Sequence, residues 1–361
     1  MTLKHPKWWD SNSNQPYKLQ SVEKHRFGLS NLREYGLTAL AALFLSPVIA
    51  WRYATIKPKP VTQIKDFMGL GVSFDFGDVE EIVDLVEELD VKHLLIRVPS
   101  WHIKHLDTYI DFAERFPQRK LLINILQCRD SVENPHTWSD AVNQIVESFL
   151  PLTKEFQLGN AINRSKWGCL NLGDYLNLLD STQRIRDRFP EATLTGSSVI
   201  DFEPFATLRT LVNLHQYRLD ACTSALYVNR RGSPYSRQFG IFNLNRKIRL
   251  IASLISLSNR CQNRFWITET NWPLLNTKPY TPNSGHPRST VDERTQAKFL
   301  TDYYQIAHAT GLVERVYWWQ LINPGYGLVD HRGIKLRRMP SFYAFRKLLS
   351  KGIKPEISQV S

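Results

Sequence analysis

From residue 65 to the C-terminus, short apolar runs alternate with amphipathic stretches. FMGLGVSF (67–74), KHLLIRVP (92–99), KLLINILQ (120–127) and FQLGN (156–160) read as buried strands. ATLTGSSVI (192–200), ACTSALYV (221–228), RFWITET (264–270) and RVYWWQLI (315–322) continue the series. Between them, VEEIVDLVEELD (79–90), DYLNLLDSTQRIRDRF (174–189), RKIRLIASLISL (246–257) and ERTQAKFLTDYYQIAHAT (293–310) carry apolar residues at helical spacing. Eight strand–helix units predict an α/β fold, a (β/α)8 TIM barrel over residues 61–361, rather than a doubly wound sheet. No glycine-rich phosphate fingerprint follows the first strand, which counts against a nucleotide fold.

Residues 1–60 break this rhythm and read as a basic, partly hydrophobic extension. Its uncharged run, Tyr35–Trp51, is bracketed by Arg33 and Arg52 and contains Pro47. It falls short of the roughly 20 apolar residues of a spanning helix. A helix lying in a membrane interface, with Trp51 and the arginines as anchors, fits the pattern, as does a helix packed on the main domain. The run begins too late for a cleaved signal peptide. KPKP (57–60) predicts a stiff linker.

Composition narrows the function. The charge of +12 favours an anionic partner, and a membrane surface or an acidic carbohydrate qualifies. Nucleic acid ranks low, because there is no zinc-finger spacing, helix–turn–helix signature or dense basic run. The 10 Trp and 14 Tyr suit flat ligands such as sugars, although aromatic residues also fill cores. Cys128, Cys169, Cys222 and Cys261 lie far apart without a Cys-x-x-Cys, which predicts reduced thiols and a cytosolic setting. The histidines form no ligand pair at a strand end, so neither metal nor cofactor is expected.

A barrel site lies at the C-terminal ends of the strands. There the sequence places Arg97, Gln127, Asn160, Asn163, Asp201, Glu203, Tyr227, Asn229 and Arg230. Strand seven adds Glu269, Asn271 and Trp272, and strand eight adds Trp318, Trp319 and Gln320. An arginine beside a carboxylate favours its charged form, and a tyrosine hydroxyl orients it, so Arg97, Tyr227 and Glu269 suit a nucleophilic carboxylate. The loop 276–293, long and proline-rich, follows strand seven and is expected to shape substrate binding.

These residues carry a resemblance. WITETNWP resembles the nucleophile strand of clan A retaining glycoside hydrolases, and GNAIN resembles their Gly-Asn-Glu-Pro-Asn motif. LIRVPSW, ALYVNRRGSP and VYWWQLINPGYGLVD resemble the second, sixth and eighth strands. The likeness spans about residues 65–350, in particular to glycosidase-like proteins associated with bacterial surface-polysaccharide genes. It implies that Glu269 is the nucleophile, that Arg97, Asn160, Tyr227 and Trp319 support it, and that the substrate is a carbohydrate or glycolipid. It also exposes a departure, since Ala161 stands where the clan has its general acid/base glutamate. Three readings follow. The donor carries a leaving group, such as phosphate, that needs no proton, making the protein a transglycosidase; Asp201 or Glu203 substitutes for the acid; or the chain is a sugar-binding pseudoenzyme. The expected location is membrane-associated, at the cytoplasmic face of the bacterial inner membrane.

Overall fold

A computed structural model describes residues 3–18, 29–60, 62–281 and 289–352. Eight parallel strands close into a barrel: β1 Met68–Val72, β2 His93–Pro99, β3 Lys120–Leu126, β4 Glu155–Leu158, β5 Thr193–Ile200, β6 Ala221–Ala225, β7 Phe265–Thr270 and β8 Arg315–Trp318. Each pairs with its chain neighbours, and β8 returns to β1 through Val316 opposite Met68. The expected (β/α)8 barrel is therefore the fold, and each strand falls within its predicted apolar run except β4, which begins one residue earlier, at Glu155. The runs are continuous because each strand is covered on both faces, by helices outside and by side chains within. Inside, Leu95, Leu122, Ala221, Trp266, Tyr317 and Trp319 pack together. β1 supplies room for two of those rings, since a Cβ on Gly69 or Gly71 would fall 2.4 Å from the Tyr317 ring or 2.2 Å from that of Trp319. Glycine at 71 is thus what lets the Trp319 ring enter the barrel.

The helices follow their caps. The helix Val79–Leu89 starts at Asp78, which accepts the Glu80 amide at 2.9 Å, while Glu81 reaches back to the Asp78 amide. The stretch predicted as one helix over 174–189 is instead two, Leu172–Ser181 and Ile185–Arg188. Between them, Thr182 Oγ1 and Gln183 Nε2 both donate to the Leu179 carbonyl (2.8 and 3.4 Å). Such side-chain bonding offers the backbone an alternative to the helix ladder.

The N-terminal helix, α1, runs Leu29–Thr55 and is continuous through Pro47. Proline has no N–H to give the carbonyl four residues back. That carbonyl, of Leu43, accepts the Ser46 hydroxyl at 2.9 Å instead. One stripe of α1, including Thr38, Ala41, Leu45 and Ile49, lies against the barrel. Glu34 forms a two-pronged pair with Arg209 (2.8 and 3.1 Å), and Arg249 caps the carbonyls of Tyr53, Ala54 and Ile56. The opposite stripe leaves Leu32, Tyr35, Leu40, Leu43, Phe44 and Trp51 exposed. Asn31–Thr55 is long and apolar enough to cross a membrane by length and composition. The segment 57–60 lies on the barrel, its Lys59 amide donating to Gly311 at 2.8 Å.

Candidate active site

Glu269, near the C-terminal end of β7, is buried and clamped from two sides. Arg97 from β2 forms an ion pair with Oε2, and the Tyr227 hydroxyl, just beyond β6, donates to Oε1. The Arg97 guanidinium lies 3.6 Å from the centre of the Trp319 ring and donates to the Asn14 carbonyl at 3.2 Å. Burial, reinforced by the Glu269 charge, pushes the Tyr227 hydroxyl well above the ordinary phenol range, so it remains a donor. Glu269, Arg97, Tyr227 and Trp319 all face one cavity of about 790 Å³ at the barrel mouth.

Other expected residues fall into three groups. Asn271 lines the cavity, donating to the Trp319 carbonyl (2.8 Å) and accepting from Arg231 (3.2 Å). Asp201 and Glu203 also line it, but Arg164 holds both, at 2.7 and 2.6 Å. A bulge in β5 between Ser197 and Val199, with Ser197 and Ser198 at positive φ, precedes this pair, and Asp201 itself has positive φ just past the strand. Gln127, Asn163, Trp272 and Gln320 brace the rim from behind. Gln127 exchanges two 2.8 Å hydrogen bonds with the Asn160 backbone, and Asn163 ties β5 to Glu203. Trp272 donates to Gly232 and stacks on Trp318, and Gln320 accepts from Asn14. The side-chain nitrogen of Asn160, Nδ2, is buried without a hydrogen-bond partner. Arg230 belongs to the turn Asn229–Arg231, and its side chain lies outside the described residues, as do residues 282–288 of the loop 276–293.

Sequence reasoning missed the N-terminal hairpin. Trp9–Asp10 pairs with Gln15–Pro16, and Asp10 accepts the Ser13 hydroxyl (2.6 Å) and the Asn12 amide (3.1 Å) across the turn. This hairpin sits in the barrel mouth. Tyr326 donates to the Ser13 carbonyl (2.9 Å), Asn323 to that of Asn12 (3.1 Å), and Lys166 to Gln15. The turn-forming run DSNSN between two tryptophans and a Gln-Pro is the only local signal of it.

The hairpin decides the setting of Ala161. That residue is fully buried, in the left-handed region (φ 47°), in an apolar cluster with Trp9, Leu126 and Trp167. The rings of Trp9 and Trp167 meet edge to face at 5.7 Å, and Trp101 adds a third at 5.4 Å from Trp9. Position 161 is therefore covered by hydrocarbon and indole. Beside it, Lys166 and Arg231 bring positive charge into the cavity, and their hydrogen-bond partners, Gln15 and Asn271, are neutral. Burial pulls Lys166 down to about 8.

No family model and no curated protein match the chain. Solved structures share its fold. A family 39 glycoside hydrolase from Bacteroides cellulosilyticus WH2 superposes with a TM-score of 0.58 at 15% identity, over 81% of this chain and 65% of that one. This chain thus spans just under two thirds of that neighbour's length. A GH30 endoxylanase from Clostridium papyrosolvens C71 gives 0.57 at 11% identity, covering 82% and 74%. A family 51 α-L-arabinofuranosidase from Bifidobacterium longum gives 0.55 at 10%, covering 82% and 76%. The likeness to TIM-barrel glycoside hydrolases expected from the motifs is met at the level of the fold.

Proposed function

We propose that this protein is a retaining carbohydrate-active enzyme that transfers a sugar from a donor whose leaving group departs as an anion, a glycosyl phosphate being the class. The observation that carries this reading is the Arg97–Glu269–Tyr227 clamp facing a 790 Å³ cavity whose acid/base position is apolar. A Glu269 oxygen bonds to the anomeric carbon as the carbon–oxygen bond to phosphate breaks. The electron pair leaves with the phosphate, which needs no proton, and Lys166 and Arg231 offset its charge. An acceptor hydroxyl then attacks the same carbon, its proton passes to the departed phosphate, and Glu269 is released. In a glycosidase of the ordinary kind, a second carboxyl about 5–5.5 Å away supplies the proton.

On the same reading the protein builds or trims a bacterial surface polysaccharide at the cytoplasmic face of the inner membrane. The sequence resemblance supports the first part, and the exposed apolar stripe of α1 and the free cysteines support the second. The test is a panel of 2,4-dinitrophenyl glycosides and glycosyl phosphates read by intact mass. One added sugar on the peptide holding Glu269, absent in Glu269→Gln, is expected. The buried apolar seat of Ala161 also suits a sugar-binding protein without turnover, and a panel that yields ligand binding but no adduct would establish that instead.

A further inference from the structure

A second cavity, of about 500 Å³, lies beneath α1, between that helix and the loops that follow β4 and β5. It shares Phe202 and Glu203 with the glycosyl cavity, so the two stand on opposite sides of one wall. The Arg164–Glu203 ion pair belongs to that wall. Its character differs from its neighbour's. Ile162, Leu172, Phe202 and Ala206 line it, and its one other carboxylate, Glu34, is taken up by Arg209. At its margin Tyr35, Phe205 and Phe239 are 73%, 62% and 74% exposed. Large aromatic rings exposed together around an apolar hollow mark a binding site rather than ordinary surface. The hollow is also continuous with the exposed apolar stripe of α1, where Leu40, Leu43 and Phe44 follow Tyr35 along the helix.

We propose that this cavity holds the hydrocarbon chain of a lipid-linked sugar whose sugar end lies at Glu269, an assignment that rests on the glycosyl-transfer reading above. Three observations select a chain over other occupants. The two cavities adjoin at Phe202 and Glu203, so a ligand that crosses the rim there spans both. The cations Lys166 and Arg231 stand on the sugar side of that wall, where a phosphate between sugar and lipid would lie. Tyr35 at its margin belongs to α1, whose exposed apolar residues are those a membrane would cover, and a lipid tail would enter from there. α1 is then the element that brings a membrane-dissolved substrate to the barrel mouth.

The test uses the full chain in an amphipol buffer, with 11-(dansylamino)undecanoate as fluorescent chain probe and geranylgeranyl phosphate as competitor. Saturable binding at one site is expected, displaced by geranylgeranyl phosphate and not by inorganic phosphate. A series of alkyl phosphates should compete with affinity rising up to about fourfold per added methylene and then levelling once the cavity is full. Phe205→Asp with Phe239→Asp, both on the exposed rim, should weaken the probe at least tenfold, whereas Leu43→Asp with Phe44→Asp, farther along α1, should leave it unchanged. Glu269→Gln should bind the chain as the unsubstituted protein does. Absence of saturable binding overturns the proposal. So does equal loss in the Leu43/Phe44 variant, or affinity that climbs with chain length without levelling, since both indicate adsorption to the helix surface. A Glu269 adduct from a short soluble glycoside, formed while chain binding fails, sinks the tail site and leaves the glycosyl-transfer reading standing.

Discussion

Replacing Ala161 with glutamate tests whether position 161 is closed by the hairpin. The new carboxyl would enter the cluster of Trp9, Leu126 and Trp167, in which position 161 has no exposure. A carboxylic acid buried there without a partner favours its neutral form, with its pKa raised by about 3–5 units from the ordinary ~4.3. Below about pH 4.3 folded and unfolded chains both hold the proton, and the variant loses only crowding and neutral burial, on the order of 1–3 kcal/mol. Above it, the unfolded chain releases the proton while the folded state keeps it. Stability then falls by about 1.4 kcal/mol per pH unit until the raised folded value is reached. A shift of about 3 units therefore adds about 4 kcal/mol of loss at pH 7, an appreciable part of a domain's ~5–15 kcal/mol. The assay is urea denaturation of Ala161→Glu and the unsubstituted chain from pH 4 to 8, with the difference taken at each pH. A difference that does not change with pH, together with recovered glycoside hydrolysis, would refute the closed-seat argument. Position 161 would then face the cavity and its water.

Trp9→Ala removes a buried indole and should cost about 3–5 kcal/mol, measured by thermal melting. It should also let azide accelerate turnover of an activated glycoside, an acceleration the unsubstituted chain should not show; azide acting equally on both would mean the seat is already open. Tyr227→Phe leaves one Glu269 oxygen without its donor, a loss of about 1–3 kcal/mol. The rate of adduct formation should drop about 5–150-fold, and an unaltered rate would remove Tyr227 from the clamp. Lys166→Met should be more stable than the unsubstituted chain at pH 7, because burial disfavours the lysine's charge. Its folded value of about 8 lies below the ordinary 10.5, so the handicap is complete below pH 8 and vanishes as pH rises toward 10.5. Denaturation at pH 7 and 10.5 should show the gap closing, and a constant gap would count against the burial argument. Leu40→Asp with Leu43→Asp and Phe44→Asp, all exposed on α1, should shift the protein from the membrane to the soluble fraction. Retention in the membrane fraction would show that this stripe is not what binds it.

The barrel was legible because its evidence is local. Strands covered on both faces are mostly apolar, so β1 to β8 appear as short apolar runs, broken only by scattered polar residues, whose spacing already counts the units. Glu269, Arg97 and Tyr227 were legible for a related reason, since the end of a strand fixes which rim its polar residues occupy. The break at Thr182 was not, because the apolar period continues through it and only side-chain bonds to Leu179 end the helix. The hairpin was hidden by distance. Asn14 meets Gln320, and Ser13 meets Tyr326, across some three hundred residues, and nothing in a short polar turn names such partners. Gln127, Trp272 and Gln320 sat at the right strand ends yet brace the rim, a distinction that side-chain direction alone makes.

The alanine and the hairpin explain one another. An ionised glutamate at 161 would need several donors or water, and a cap of indole rings excludes water and offers only isolated N–H groups, so a charged acid there would be poorly held beneath Trp9. Conversely, alanine alone would leave a hollow beside the clamp in which water could collect. Trp9 and Trp167 fill that hollow, and the hairpin carrying Trp9 is tied to the clamp itself by the hydrogen bond from Arg97 to the Asn14 carbonyl. On the glycosyl-transfer reading this has a direct consequence. A glycosyl group on Glu269 is lost to whichever nucleophile reaches its anomeric carbon, and a site stripped of both its general base and its water slows hydrolysis. The sugar is then held for an acceptor hydroxyl. On that reading, alanine at 161 disfavours hydrolysis and suits transfer.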